Sequence, residues 1–194
     1  MILGRFVVLA SGSPRRQHLL LDLVEDFEIF VPEVDEDALT VPDPVETATA
    51  LARAKATAVL RQRQDSFIIA GDTVVALPQD DGTYIQLSKP TSKKDAEKIL
   101  AKLSGQTHLV ITGVCLAWSD GIKTFSETSK VTFRELTKEE IQKYVASGEP
   151  MDKAGAYASQ GGAKAFIEKL EGSATNVIGL PMEALEAAIL DLEK

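Results

Sequence analysis

The chain has 194 residues, 44% of them hydrophobic and 26% charged, with one cysteine and a formal net charge of −8. That length suffices for one domain over residues 1–194 with a substantial core, and the single Cys115 excludes a disulfide framework or a cysteine-rich zinc site. The acidic balance argues against stable nucleic-acid binding, and no apolar run reaches the length of a membrane span or a signal-peptide core, so the chain reads as cytoplasmic.

The apolar run Phe6 to Ala10 lacks alternation and predicts a strand buried on both faces. Ser13 is an N-cap and Pro14 a first helical residue, so a helix is expected from Pro14 to about Val24. A short strand, Phe27 to Val31, leads into the acidic connection Pro32 to Asp43. Asp43-Pro44-Val45-Glu46 opens a helix that continues to about Arg63. Phe67 to Leu77 is apolar except at Gly71-Asp72-Thr73, and Asp80-Asp81-Gly82 turns the chain into a return strand, Tyr84 to Leu87. Ser92 caps a helix ending at Gly105.

Strands Leu109 to Trp118 and Lys123 to Phe133 follow, then a helix from Thr137 closed by Gly148. Glu149 to Ala163 reads as loop, Lys164 to Leu170 as strand, and a terminal helix starts after Pro181. Interleaved strands and helices place the chain in the α/β class with a mixed sheet.

Four features carry chemistry. In Ser11-Gly12-Ser13-Pro14-Arg15-Arg16 a buried strand enters a helix N-terminus, whose free N–H groups suit an anion. The two arginines oppose the helix dipole, so either a ligand repays them or they are simply solvated. Lys55 lies inside the apolar stripe of its helix, four residues from both Leu51 and Val59. That local pattern favours a lysine that snorkels to the rim over one that enters a cleft. Asp72 interrupts apolar sequence and is either paired, metal-bound or catalytic, or a solvated carboxylate at a bulge. The acidic run Asp35-Glu36-Asp37 is either surface or, beside Asp72, a site for a hard cation such as magnesium.

Lys89 follows the hairpin, and Asp152, Lys153 and Gln160 fall in the glycine-rich loop. The inventory of carboxylates, cations and a helix N-terminus matches metal-assisted phosphoryl or nucleotidyl hydrolysis. His18 and His108 are too scattered for a metal site, and mid-strand Cys115 reads as a small hydrophobe.

Leu9 to Arg16, Asp35-Glu36, Leu51 to Ala56, Gly71 to Val75, Lys89-Pro90, Leu103 to His108, Asp152 to Tyr157, Gln160-Gly161 and Val177 to Pro181 occur in one order along nearly the whole chain. In them the sequence resembles the Maf family of nucleoside triphosphate pyrophosphatases. The resemblance implies a Maf/ITPase-like α/β fold, with a central mixed sheet flanked by helices and two lobes around a cleft, often dimeric. It implies cleavage of a nucleoside triphosphate to monophosphate and pyrophosphate with a divalent cation, magnesium or manganese.

By that likeness Asp72 is the proton acceptor and Glu36 and Asp72 hold the metal. Ser11, Gly12, Arg15, Arg16, Lys55 and Lys89 bind phosphate, while Arg15, Thr73 and Gln160 set specificity. These three resemble the type acting on dTTP and UTP, with modified pyrimidine triphosphates such as 5-methyl-UTP or pseudo-UTP as further substrates. The 7-methyl-GTP type tends to carry Tyr and Gln at the first two positions. A non-catalytic, nucleotide-sensing regulator of septum formation is the other alternative. Ser88 departs from the glycine many members have before the lysine.

Overall fold

A computed structural model describes residues 1–194. Its strands are β1 (Val7–Leu9), β2 (Phe27–Ile29), β3 (Phe67–Pro78), β4 (Tyr84–Leu87), β5 (Thr107–Trp118), β6 (Gly121–Phe133) and β7 (Ile167–Glu171). Its helices are α1 (Pro14–Leu20), α2 (Pro44–Leu60), α3 (Lys93–Leu103), α4 (Lys138–Ala146), α5 (Ala174–Ile178) and α6 (Met182–Leu192). The seven strands make one sheet in the order β2-β1-β3-β5-β6-β7, with β4 also on β3. β1 runs parallel to β2 and β3, whereas β3, β5, β6 and β7 pair antiparallel, so the sheet is mixed.

Local chemistry sets the helix starts. Ser13 accepts from Arg16 N at 3.5 Å, Asp43 from Val45 N at 2.7 Å, and Ser92 from Asp95 N at 3.1 Å. Thr137 and Glu140 close a reciprocal capping box at 3.2 and 2.8 Å. Each such cap is worth about 1 kcal/mol.

Some boundaries differ from expectation. α1 stops at Leu20 because the next turn tightens to bonds such as Leu23 N to Leu20 O, 3.0 Å. α2 likewise ends at Leu60. Residues Gly162–Phe166 form a 3₁₀ turn rather than the start of a strand, which drops Phe166 edge-on to Tyr144 and Phe133 at 5.2 and 6.1 Å between centroids. The span expected to be loop contains 3₁₀ turns at Glu149–Asp152 and Ala154–Ala156. α5 was not expected; Ser173 caps it by accepting from Asn176 N at 3.2 Å.

The sheet carries apolar layers on both faces. On one, Val7, Leu9, Phe67 and Ile69 pack with Leu20 of α1 and Leu185 of α6. On the other, Val8, Ala10, Ile68 and Ala70 pack with Ala52 and Ala56 of α2. A second lobe gathers Leu100 and Leu103 of α3 and Tyr144 of α4 around Val110, Phe133 and Tyr157. No helix is long and apolar enough to cross a membrane.

β3 joins the two lobes. Along one edge it pairs with β5 from Ile68 to Ala76. Along the other it pairs with β1 only at Phe67–Ile69 and with β4 only at Val75–Pro78. Between those partners the edge is open. Phe67 N donates to Phe6 O and Ala10 N to Ile69 O, so alternation also aims the main-chain polar groups of Gly71 and Thr73 into the gap.

His108 is fully buried, with Nε2 2.8 Å from Tyr157 OH and Nδ1 without a partner. Burial pulls its pKa down to about 4. An unfolded histidine titrates near 6.5, so between those values the unfolded chain binds a proton that the native state refuses, and stability falls as pH falls. From pH 7 to 4.5 the wild type should lose about 2 kcal/mol more than His108→Gln in urea unfolding. Equal losses would contradict this.

Candidate active site

Asp72 and Thr73 are neighbours in β3, so their side chains leave opposite faces of the sheet at the gap. On the Asp72 face lies α2. It comes close because Gly113, the cross-strand partner of Asp72, has no side chain: a Cβ there would stand 2.3 Å from Ala48 O. Seven residues on from Ala48, about two helical turns, Lys55 points at the sheet. Its Nζ donates to Asp72 Oδ1 at 2.6 Å and Glu36 Oε1 at 2.7 Å. The side chains of Lys55 and Asp72 are only 14% and 13% exposed. The lysine therefore does not snorkel, and Asp72 sits in a continuous strand rather than at a bulge.

Asp72 Oδ2 and Glu36 Oε2 make no hydrogen bond to the protein, and both residues line the cleft. Partial burial pushes the Glu36 carboxyl up. The Lys55 hydrogen bond and charge, with Lys89 and Arg16 further off, outweigh this and hold it below the usual carboxylate range. Of its acidic neighbours, Asp35 turns away to accept from Ala38 N at 3.1 Å, while Asp37 reaches the cleft wall.

On the Thr73 face, Arg16 spreads over three acceptors. Nε donates to Gly179 O at 2.7 Å, Nη1 to Ser11 Oγ at 3.1 Å and Nη2 to Thr73 Oγ1 at 2.9 Å. Burial lowers the Arg16 pKa, with the charge of Asp72 opposing the shift. An arginine unfavourable to its own helix dipole is thus held by protein oxygens. Arg15 Nη1 lies 3.6 Å from Asp152 Oδ2 across the cleft. Asp152 is pushed up by burial but drawn lower overall by Lys153 and Arg15.

Ser11, Gly12, Arg15, Arg16, Glu36, Lys55, Asp72, Thr73, Lys89 and Gln160 all line this one cleft, of about 650 Å³. Lys89 and Gln160 make no side-chain hydrogen bond and are free to meet a ligand. Cys115 is buried, and burial raises its thiol pKa, so it packs as expected.

No group of three or more acidic, histidine or cysteine side chains lies together. Glu36 and Asp72 supply two carboxylates, which fits a magnesium ion that keeps several waters and shares substrate phosphate oxygens. Manganese accepts the same hard donors.

Sequence reasoning missed Gly113, Thr112, Asn176 and Gly179 as parts of the site. Thr112 Oγ1 lies 2.9 Å from Thr73 Oγ1 and donates to Asn176 O at 3.1 Å. A hydroxyl amid the apolar residues of β5 gives no outward sign of that link.

Lys55→Met removes the main downward influence on Glu36. Its carboxyl, followed by carbon-13 NMR titration, should titrate higher than in the wild type. An unchanged titration would contradict the coupling.

A family model described as Maf-like protein matches residues 6–192. A Bacillus anthracis protein called dTTP/UTP pyrophosphatase is 43% identical over 183 residues, covering 93% of this chain and 92% of its own. A protein of the same name from Aquifex aeolicus is 43% identical over 186 residues, covering 96% and 95%. The solved structure of the Staphylococcus aureus Ham1 protein aligns with a TM-score of 0.48 at 16% identity, over 98% of this chain and 100% of that one.

Proposed function

The chain belongs to the Maf family, and from that membership and its cleft we propose that it is a nucleoside triphosphate pyrophosphatase acting on dTTP and UTP in the cytoplasm. The products are the nucleoside monophosphate and pyrophosphate. The observation that carries the reading is Lys55 Nζ, hydrogen-bonded to both Asp72 and Glu36 in the cleft that Arg15, Arg16 and Lys89 also line. The relatives' shared name supplies the pyrimidine preference.

Lys55 holds Oδ1 of Asp72 and so aims the free Oδ2 outward as a proton acceptor. A water beside Oδ2 loses its proton there as its oxygen bonds to the α-phosphorus. The bond from that phosphorus to the α–β bridging oxygen breaks, and its electron pair leaves on pyrophosphate. Arg15, Arg16 and Lys89, with the main-chain N–H groups near Ser11 and Gly12, neutralise the charge growing on that leaving group. A divalent ion held by Glu36 and Asp72 supplies Lewis-acid polarisation of the phosphate oxygens when bound.

Arg15, Thr73 and Gln160 set the specificity for the base, with Thr73 and Gln160 at the ring. The Gln160 carboxamide N–H donates to a ring carbonyl on the edge that uracil and thymine share. The same pocket takes modified pyrimidine triphosphates such as 5-methyl-UTP or pseudo-UTP, giving a role in keeping them out of RNA and DNA. A purely regulatory nucleotide sensor has no need of an open carboxylate oxygen beside this cation cluster.

Incubated with UTP or dTTP and magnesium, the pure protein should release pyrophosphate and no orthophosphate. Asp72→Asn should slow that release about 10²-fold or more. Turnover by Asp72→Asn at the wild-type rate would remove Asp72 from the chemistry, and orthophosphate as the main product would overturn the reaction.

A further inference from the structure

The Thr73 hydroxyl joins partners whose donor and acceptor roles are fixed by their chemistry. Thr112 Oγ1 lies 3.1 Å from the main-chain oxygen of Asn176, which can only accept, so the single Thr112 proton is committed there. The Thr112 and Thr73 hydroxyls are 2.9 Å apart, so Thr73 is the donor between them. Arg16 Nη2, 2.9 Å from Thr73 Oγ1, can only donate. Thr73 has therefore given its proton to Thr112 and one lone pair to Arg16. What it offers the cleft is its other lone pair.

The base of this relay cannot invert. Thr112 and Asn176 are both fully buried. Asn176 Nδ2 donates to Val110 O at 3.0 Å and Ser129 Oγ at 2.9 Å, and Ser129 Oγ donates to Ser173 O at 2.9 Å. Above Thr73 there is room for a ligand. A Cβ on Gly179 would lie 3.5 Å from Thr73 Oγ1 and 3.7 Å from Arg16 Nε, so the bare glycine leaves that space open. The other arm of Arg16 has the opposite effect: Ser11 Oγ accepts from Arg16 Nη1 at 3.1 Å and from Ser13 N at 3.2 Å, and keeps its proton to donate.

We propose that Thr112, which does not line the cleft, is a positioning residue for base recognition: it holds Thr73 as a pure acceptor, so the site selects a ring that presents an N–H at that point. Resting on the pyrimidine reading above, the group that fits is the imide N3–H of uracil and thymine. Cytosine has a bare N3 there, and two lone pairs would face each other.

The test is the ratio of kcat/KM for UTP to kcat/KM for CTP in the wild type, Thr112→Val and Thr112→Ser. Valine keeps the shape but removes the acceptor, which releases the Thr73 proton; the ratio should fall about tenfold. Serine should retain the wild-type ratio. An unchanged ratio in a folded, active Thr112→Val overturns the proposal.

Should valine fail to fold, the wild type provides the second measurement. UTP methylated at N3 has lost its donor and should be hydrolysed about tenfold or more less efficiently than UTP, while methylation at C5 is tolerated. Equal efficiency for the N3-methyl compound overturns the proposal alone. A wild type that hydrolyses no pyrimidine triphosphate overturns the proposed function and this inference together.

Discussion

The arrangement rests on one strand outrunning its neighbours. β3 spans twelve residues, yet β1 covers three of them and β4 four, on the same edge and from opposite ends. The stretch between them keeps its ladder to β5 and has nothing on its other side. Rigidity and access, which usually compete, coexist here because the open edge belongs to a central strand. Alternation then sends Asp72 to one face and Thr73 to the other, giving a single gap two unlike walls: carboxylates bridged by an ammonium, and hydroxyls bridged by a guanidinium.

Electrostatics complete the design. The chain is acidic overall, with a net charge of −8, yet five cations line the cleft at this gap. Four of them are held by protein oxygens: Lys55 by Asp72 and Glu36, Arg16 by Gly179, Ser11 and Thr73, Arg15 by Asp152, and Lys153 by Asp152 and Glu149. Groups fixed before substrate arrives need little reorganisation as charge develops, which is where such sites gain most of their effect. Lys89, without a hydrogen-bonded partner, is the cation most free to follow an incoming phosphate.

What the residues themselves showed in advance, apart from the family likeness, was local. Ser13-Pro14, Asp43-Pro44, Ser92 and the Thr137–Glu140 pair each cap a helix within a few residues, and the structure starts helices there. Asp72 was conspicuous because a carboxylate in apolar sequence demands a partner. The partner's direction was not legible. Lys55 turns inward only because α2 rests on the bare backbone of Gly113, fifty-eight positions further along the chain. Local pattern did not show which acid of Asp35-Glu36-Asp37 would reach Lys55, since a single 3₁₀ turn decides it; only the family likeness singled out Glu36. Thr112 falls inside the strand expected over Leu109 to Trp118, and its hydroxyl acquires meaning only once α5, itself unforeseen, brings the Asn176 carbonyl beneath it.

The central claim is that these groups direct water to the α-phosphorus and expel pyrophosphate as a unit. Hydrolysis of UTP in water enriched in oxygen-18, with mass analysis of both products, tests it most directly. The account predicts one heavy oxygen in the monophosphate and none in the pyrophosphate. Label recovered in the pyrophosphate would place the attack on the wrong phosphorus and contradict the role given to the whole cleft.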